Sequence, residues 1–248
     1  MSRRDRDRIA IVTGAATGIG RATALAFGEI GAFVHLLDID SEGGSEAAGH
    51  IQRSRFISCD VTSEQEVGAA LEQIGADSGH VDVLVNNAGG FPTQRSLEET
   101  TLEEWRRIVD LNLTSVFLMT RAVLPLLRRS EAGRIINIGS LAGQVANYRT
   151  SPPYAAAKAG VHSLTRVLAW ELAPEGITVN TLAPSAVMTE RIKHLRGEAE
   201  RQATAASIPL GRYQHPDELA RWVLYLASPE AGFMTGQTVS VNGGRFMA

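Results

Sequence analysis

Short apolar runs alternate along the chain with longer amphipathic segments, the order expected of strands that are each followed by a crossover helix. The runs 9–13, 33–38, 56–60, 83–86, 134–138, 178–182 and 238–241 predict seven strands. Ile9-Ala10-Ile11-Val12 and Val83-Leu84-Val85 are continuously apolar, as strands covered on both faces require. The pattern predicts an α/β fold, a doubly wound parallel sheet of seven strands with helices on both faces. No repeat or low-complexity linker interrupts it, so the 248 residues are read as one domain, 1–248. Periodicity is weakest and charge highest at about 185–214, which is either a substrate lid or a plain surface loop.

Composition narrows the class of function. A formal charge of −3 supplies no general basic field for nucleic acid or an anionic membrane. No uninterrupted apolar stretch approaches the roughly 18–20 residues that span a bilayer. The start of the chain, alternating Arg and Asp, reads as neither a signal nor a transit peptide. Cys59 has no partner for a disulfide and suits a reducing compartment, so a cytoplasmic location is expected. The six histidines show no paired metal-ligand spacing, and no metal is expected.

Directly after the first strand stands Thr13-Gly14-Ala15-Ala16-Thr17-Gly18-Ile19-Gly20, and a helical pattern opens there. Glycine lets backbone approach a pyrophosphate, and a helix N-terminus offers N–H groups and the positive end of its dipole. Asp38 ends the second strand twenty positions after Gly18, the spacing of a carboxylate that holds a ribose diol. A 2'-phosphate there would meet the Asp38 charge. Two unit charges about 4 Å apart repel by about 1–4 kcal/mol as the dielectric falls from 80 to 20. NAD is therefore the expected cofactor, with Arg53 and Arg55 as the cations whose approach would change that expectation.

Gly-x-x-x-Gly-x-Gly after the first strand is the pattern of the short-chain dehydrogenase/reductases, and the chain resembles that family over nearly its whole length. Asp60-Val61, Asn86-Asn87-Ala88-Gly89 and Val241-Asn242-Gly243-Gly244 match further motifs in the right order. The resemblance implies a single-domain Rossmann fold. It also implies cofactor contacts from Gly14, Thr17, Gly18, Ile19, Gly20, Asp38, Asp60, Val61, Asn87, Ala88 and Gly89. NADP-preferring relatives usually carry Arg or Lys where this chain has Thr17 and Ile39. Ala183 to Thr189 occupies the place of the nicotinamide-facing loop, implying contacts from Pro184, Val187 and Thr189. Ser185 departs from the glycine usual after that proline.

Tyr154-Ala155-Ala156-Ala157-Lys158 sets Tyr and Lys four apart, on one face of a helix, fourteen residues after Ser140. A phenol with an ordinary pKa near 10 is a poor base at neutral pH unless a positive charge favours its phenolate. By resemblance, Ser140 holds the substrate oxygen and Tyr154 exchanges the proton. Lys158 binds the nicotinamide ribose and lowers the tyrosine pKa, and Asn112 is the fourth catalytic position. The implied enzyme is an oxidoreductase moving a hydride between NAD(H) and a small secondary alcohol or ketone.

Two other readings stand beside it. One is a 3-oxoacyl-acyl-carrier-protein reductase using NADPH, with Arg128-Arg129 as a docking patch for its acidic partner. The other is a non-catalytic NAD-binding sensor, which has little need of Ser140, Tyr154, Lys158 and Asn112 together. Enoyl reductases of the superfamily usually separate Tyr and Lys more widely. Phe91, Leu141, Gln144, Tyr148 and Met188 are candidate pocket residues. Arg191, Lys193, Arg196 and Arg201 either attract an anionic substrate or form a solvated face with Glu190, Glu198 and Glu200. Relatives pair the tyrosine helix and the Asn112 helix across two-fold axes. A homotetramer is expected, with a dimer as the fallback, and Val161, Leu164, Leu168 and Leu172 as the apolar stripe.

Overall fold

The structure, a computed structural model, describes residues 8–90, 95–145 and 150–247. Seven parallel strands, β1 (Ile9–Thr13), β2 (Phe33–Asp38), β3 (Ser54–Ser58), β4 (Val83–Asn86), β5 (Arg134–Ile138), β6 (Thr178–Pro184) and β7 (Thr238–Val241), lie in the order β3-β2-β1-β4-β5-β6-β7. Helices α1 (Gly18–Glu29), α2 (Ser41–Gly49), α3 (Glu64–Ser78), α4 (Leu102–Val109), α5 (Ser115–Leu127) and α6 (Pro152–Leu172) connect the first six strands. The last crossover holds α7 (Glu190–Leu195), α8 (Glu198–Ala206) and α9 (Pro216–Ala227). Two cores fill the sandwich. One gathers Ile11, Leu84 and Ile135 with Ile74 of α3, Met119 of α5 and Leu172 of α6. The other gathers Val12, Val85 and Ile136 with Phe27 of α1, Ala47 of α2 and Val223 of α9.

Strand order reverses between β1 and β4, whose following loops therefore part to opposite faces and leave a crevice at the carboxyl end of the sheet. Both halves of the site open onto it.

Three expectations shift. The third strand begins two residues early, because Val34 pairs with Ser54 and Asp38 with Ser58, after which the chain leaves the sheet. As an edge strand it is buried in part only, so an apolar run misplaces it. Half of the segment 185–214 is helical, in α7 and α8. Finally, α4 and α5 join through a π-helical turn, Asp110–Thr114, into one 26-residue helix, Leu102–Leu127, long and apolar enough by length and composition to cross a membrane. Here Met119, Val123, Leu126 and Leu127 pack it on the sheet.

Candidate active site

The first half of the site is backbone. Gly14 and Gly18 have φ of 63° and 56°, a left-handed conformation that side chains rarely adopt. A Cβ on Gly14 would lie 2.8 Å from Ala88 Cα, so the turns after β1 and β4 touch. Asn87 Nδ2 donates to the carbonyls of Thr13 and Gly14 at 2.9 and 3.0 Å, and Thr13 Oγ1 accepts from the amides of Asn87 and Ala88, both at 3.0 Å. These bonds fix the width of the crevice. The N-cap of α1, Thr17, makes no side-chain cap, and the first turn has no acidic residue, so Gly18, Ile19 and Gly20 present an uncapped helix end to an anion.

Asp38 stands beside this turn. Its Oδ2 accepts from the Ala16 amide at 2.9 Å and its Oδ1 from the Asp40 amide at 3.0 Å. The neighbouring cations are directed elsewhere: Arg21 bridges to Glu46, Arg55 to Asp77, and Arg53 donates to the Gly31 carbonyl. Ile39 is exposed, as a residue facing the adenosine end of a cleft can be. Asp60, just past β3, accepts from the Thr62 amide and hydroxyl at 2.9 and 2.7 Å, and Val61 is buried behind it. A glycine cradle at an open helix end, flanked by a carboxylate for a diol, has the donors and acceptor that a dinucleotide requires.

The second half is side chain. Ser140 stands two residues past β5 and caps a 3₁₀ turn, Leu141–Gly143, its Oγ accepting from the Ala142 amide at 3.1 Å. Tyr154 lies in the first turn of α6, hydrogen-bonded to Ser140. One turn on, buried Lys158 donates through Nζ to the Ile138 carbonyl at 2.7 Å. Asn112 occupies the π-helical turn and grips Gly90 at both ends, accepting from its amide and donating to its carbonyl, each at 2.8 Å. A Cβ on Gly89 would lie 2.8 Å from Asn112 Oδ1 and 3.3 Å from Lys158 Nζ. Ser140, Tyr154, Lys158 and Asn112 therefore converge beside the cradle.

Burial pushes the Tyr154 phenol above its ordinary value, opposed by the Ser140 hydrogen bond and by the charge of Arg191. The Lys158 ammonium, held on the Ile138 carbonyl, lies over the Tyr154 ring with Nζ 5.8 Å from its centre. Burial also draws Lys158 itself down to about 8.

Pro184, the last residue of β6, is buried, and in the loop that follows Ser185 donates to the Asn242 carbonyl at 3.0 Å. Ser185 needs no glycine-like backbone, since among the described residues only glycines have positive φ. Val187 is buried and bridged to Gln214. Thr189 caps α7 and lies across the glycine turn, its Cγ2 3.1 Å from where a Gly18 Cβ would stand. Leu141 is buried, Gln144 accepts from Ser240, and Met188 is half-buried. Phe91 and Tyr148 lie outside the described residues.

Some residues escaped the sequence reading. His162, one turn past Lys158, fills the niche that Gly139 and Gly143 leave on either side of Ser140, where a Cβ on either glycine would strike its ring. Its Nε2 accepts from the Ser140 amide at 3.4 Å, and burial and the Lys158 charge pull its pKa to about 4. Beneath it a polar chain runs from Thr120 to Asn86, Asn137, Thr165 and Thr181, with bonds of 2.6 to 3.2 Å. The signal was present as an Asn inside the apolar run of β5, and as Tyr154, Lys158, His162 and Thr165 at spacings of four, four and three on one helix face.

A family model described as enoyl-(acyl carrier protein) reductase matches residues 14–245. The 3-oxoacyl-[acyl-carrier-protein] reductase FabG of Vibrio harveyi is 42% identical over 242 residues, covering 97% of this chain and 98% of that protein. Among solved structures, the Pseudomonas aeruginosa RhlG/NADP active-site complex superposes with a TM-score of 0.91 at 36% identity, covering 96% of each chain. The aldohexose dehydrogenase of Thermoplasma acidophilum does so at 0.89 with 32% identity, covering 98% of this chain and 95% of that one. Joined to the strand order and the converging site, these likenesses make the chain a member of the short-chain dehydrogenase/reductase family of oxidoreductases.

Proposed function

We propose that the protein moves a hydride between NAD(H) and a small secondary alcohol or ketone. The observation that carries this is the cluster of Tyr154, hydrogen-bonded to Ser140, with Lys158 and Asn112 together against one side of Gly89. The nicotinamide, when bound, supplies or accepts the hydride. Ser140 orients the substrate oxygen, and Tyr154 gives it a proton in reduction or takes one in oxidation. Lys158 binds the ribose through the ammonium now held on Ile138. Asn112 fixes the Gly90 backbone at the floor of the site. Pro184, Val187 and Thr189 close the nicotinamide side.

NAD is favoured over NADP by the Asp38 carboxylate beside the cradle and by Thr17 and Ile39, which carry no charge to meet a 2'-phosphate. The names of the similar reductase and of the NADP complex favour the second reading, an NADPH-using 3-oxoacyl-acyl-carrier-protein reductase. Against it, the expected docking patch is engaged: Arg128 holds Glu175 through two bonds of 2.6 and 2.9 Å, and Arg129 donates to the Gly79 carbonyl. The Tyr-Lys spacing favours carbonyl over enoyl reduction.

A homotetramer in the cytoplasm completes the proposal, with one revision. Val161 and Leu172 are buried and Leu168 packs on the protein's own core, so of the expected stripe only Leu164 stays part-exposed and clear of the core, too little for a partner face. The face left outward carries Phe117 of α5 with Val167 and Trp170 of α6, the last 88% exposed. The wild-type protein tests the whole reading. Secondary alcohols should turn over faster with NAD than with NADP, and sedimentation at micromolar concentration should give four subunits. Preference for NADPH with an acyl-carrier-protein thioester would replace this reading with the second.

A further inference from the structure

Ser185 stands where relatives usually carry glycine, and its backbone does not call for one, so the hydroxyl is what sets this chain apart there. Strands β6 and β7 pair as far as Pro184 and Val241. Pro184 has no amide hydrogen to lend the ladder, and one residue on the Ser185 hydroxyl donates to the Asn242 carbonyl at 3.0 Å. The turn it grips is itself held: Asn242 donates through Nδ2 to the Phe246 carbonyl at 3.0 Å and accepts at Oδ1 from the Gly244 amide at 2.9 Å. The Gly243 carbonyl accepts from the Leu210 amide at 3.2 Å. Farther along the same segment, Gln214 pairs with the loop after β6, donating to the Ala186 carbonyl and accepting from the Met188 amide, both at 2.9 Å. Glu218 of α9 anchors that stretch, accepting from Arg212 through two bonds of 2.7 Å and from the His215 amide at 2.8 Å. The loop, the segment 208–214 and the C-terminal turn thus close a ring of hydrogen bonds, joined from loop to turn by the Ser185 hydroxyl. The ring is not packed solid. Ser185, Ile208, Leu210, Trp222 and Val241 border a cavity of about 140 Å³, so packing alone does not fix the loop on this side.

We infer that Ser185 is a positioning residue for the nicotinamide, its hydroxyl tying the loop that carries Val187 and Thr189 to the C-terminal turn. This rests on the reading of that loop as the one that faces the nicotinamide. With the bond in place, the loop is held on two edges, by Gln214 and by Asn242. Without it the loop is held by Gln214 on one edge and has the cavity to move into. The nicotinamide then loses a fixed wall. The adenosine half of the cofactor loses nothing, because the glycine turn and Asp38 that would hold it lie on the β1 and β2 side of the crevice.

The test compares binding of NADH with binding of ADP-ribose, which lacks the nicotinamide, in wild type, Ser185→Ala and Ser185→Thr. Ser185→Ala removes the hydroxyl at a residue without positive φ, so the backbone is not strained. It should weaken NADH about three- to tenfold, the worth of one hydrogen bond, and leave ADP-ribose within about twofold. Ser185→Thr keeps the hydroxyl, has the cavity for its methyl group, and should bind both as wild type does. In the ligand-free protein, exchange of the Met188 and Gln214 amides should quicken in Ser185→Ala by about the same factor as NADH binding weakens. Equal weakening of NADH and ADP-ribose, unchanged NADH binding, amides that exchange no faster, or a threonine variant that behaves like the alanine one would each overturn the inference. If wild type prefers NADP, the same comparison is made with NADPH and 2'-phospho-ADP-ribose. Turnover keeps the two readings apart: a wild type that oxidises no secondary alcohol with either cofactor overturns the proposed function, while the selective loss of NADH binding decides the role of Ser185 without any turnover.

Discussion

The crevice is built in two ways. On the β1 to β4 side, the cradle is made from main chain: glycines in left-handed conformations, the uncapped end of α1, and amides held by Thr13 and Asn87. Asp38 and Asp60 contribute the side-chain charge. On the β5 to β7 side, the work falls to side chains in environments that disfavour them: a lysine and a histidine buried in α6, and an asparagine inside a helix at a π-helical turn. The first construction recognises a shape and an anion and leaves little to tune. The second sets protonation states, and burial moves Tyr154, Lys158 and His162 together.

If the two sides are separable, the largest effect should come from one atom on the second. Tyr154→Phe removes the proton-exchanging hydroxyl and touches nothing in the cradle. We expect kcat to fall about a hundredfold or more, with the dissociation constant for NAD unchanged. Retention of more than about a tenth of kcat would move the acid–base role elsewhere, and a weakened NAD complex would show that the halves are coupled.

The complementary change lies on the first side. Asp38→Ala with Ile39→Arg removes the carboxylate from the ribose and offers a 2'-phosphate a bidentate partner. Opposed changes of about 1.4 kcal/mol for each cofactor would move the ratio of kcat/KM values about a hundredfold toward NADP. Measuring both cofactors at one substrate concentration is enough. A wild type that already prefers NADP, or a ratio that does not move, would place cofactor choice outside the end of β2.

This difference in construction also explains what the sequence reveals. Glycine turns and strand-end carboxylates obey fixed spacings, so the cradle was legible from Gly14, Gly18, Gly20 and Asp38, and the apolar runs placed five of seven strands to the residue. Tyr154 and Lys158 were legible because they share a helix face. His162 was not, since a lone histidine looks alike whether it faces solvent or the back of Ser140. The interface stripe failed for a related reason. Periodicity finds the apolar face of a helix, and in α6 that face is claimed by the sheet, leaving Val167 and Trp170 unassigned.

The smallest effect gives the sharpest comparison, because each half holds one buried histidine with a pKa drawn down to about 4. His35, on β2, meets Ser78 at 2.8 Å, whereas His162 accepts from the Ser140 amide. Both are neutral in the folded protein from pH 7 down to about 4, while their unfolded counterparts take up a proton below about 6.5. Between those values the unfolded chain binds more protons, so stability falls as pH falls, by up to about 3 kcal/mol for each histidine. His35→Leu and His162→Leu should therefore each flatten the decline of Tm between pH 6.5 and 4. Their effects on catalysis should part. Only His162→Leu removes the acceptor behind Ser140, lowering kcat about tenfold or less for one backbone hydrogen bond. His162→Gln restores an acceptor that does not titrate, and should recover most of kcat while keeping the flattened Tm profile. Equal losses of kcat at both positions would mean that these substitutions act through general packing, and an undiminished kcat in His162→Leu would leave the Ser140 turn supported by its own hydrogen bonds alone.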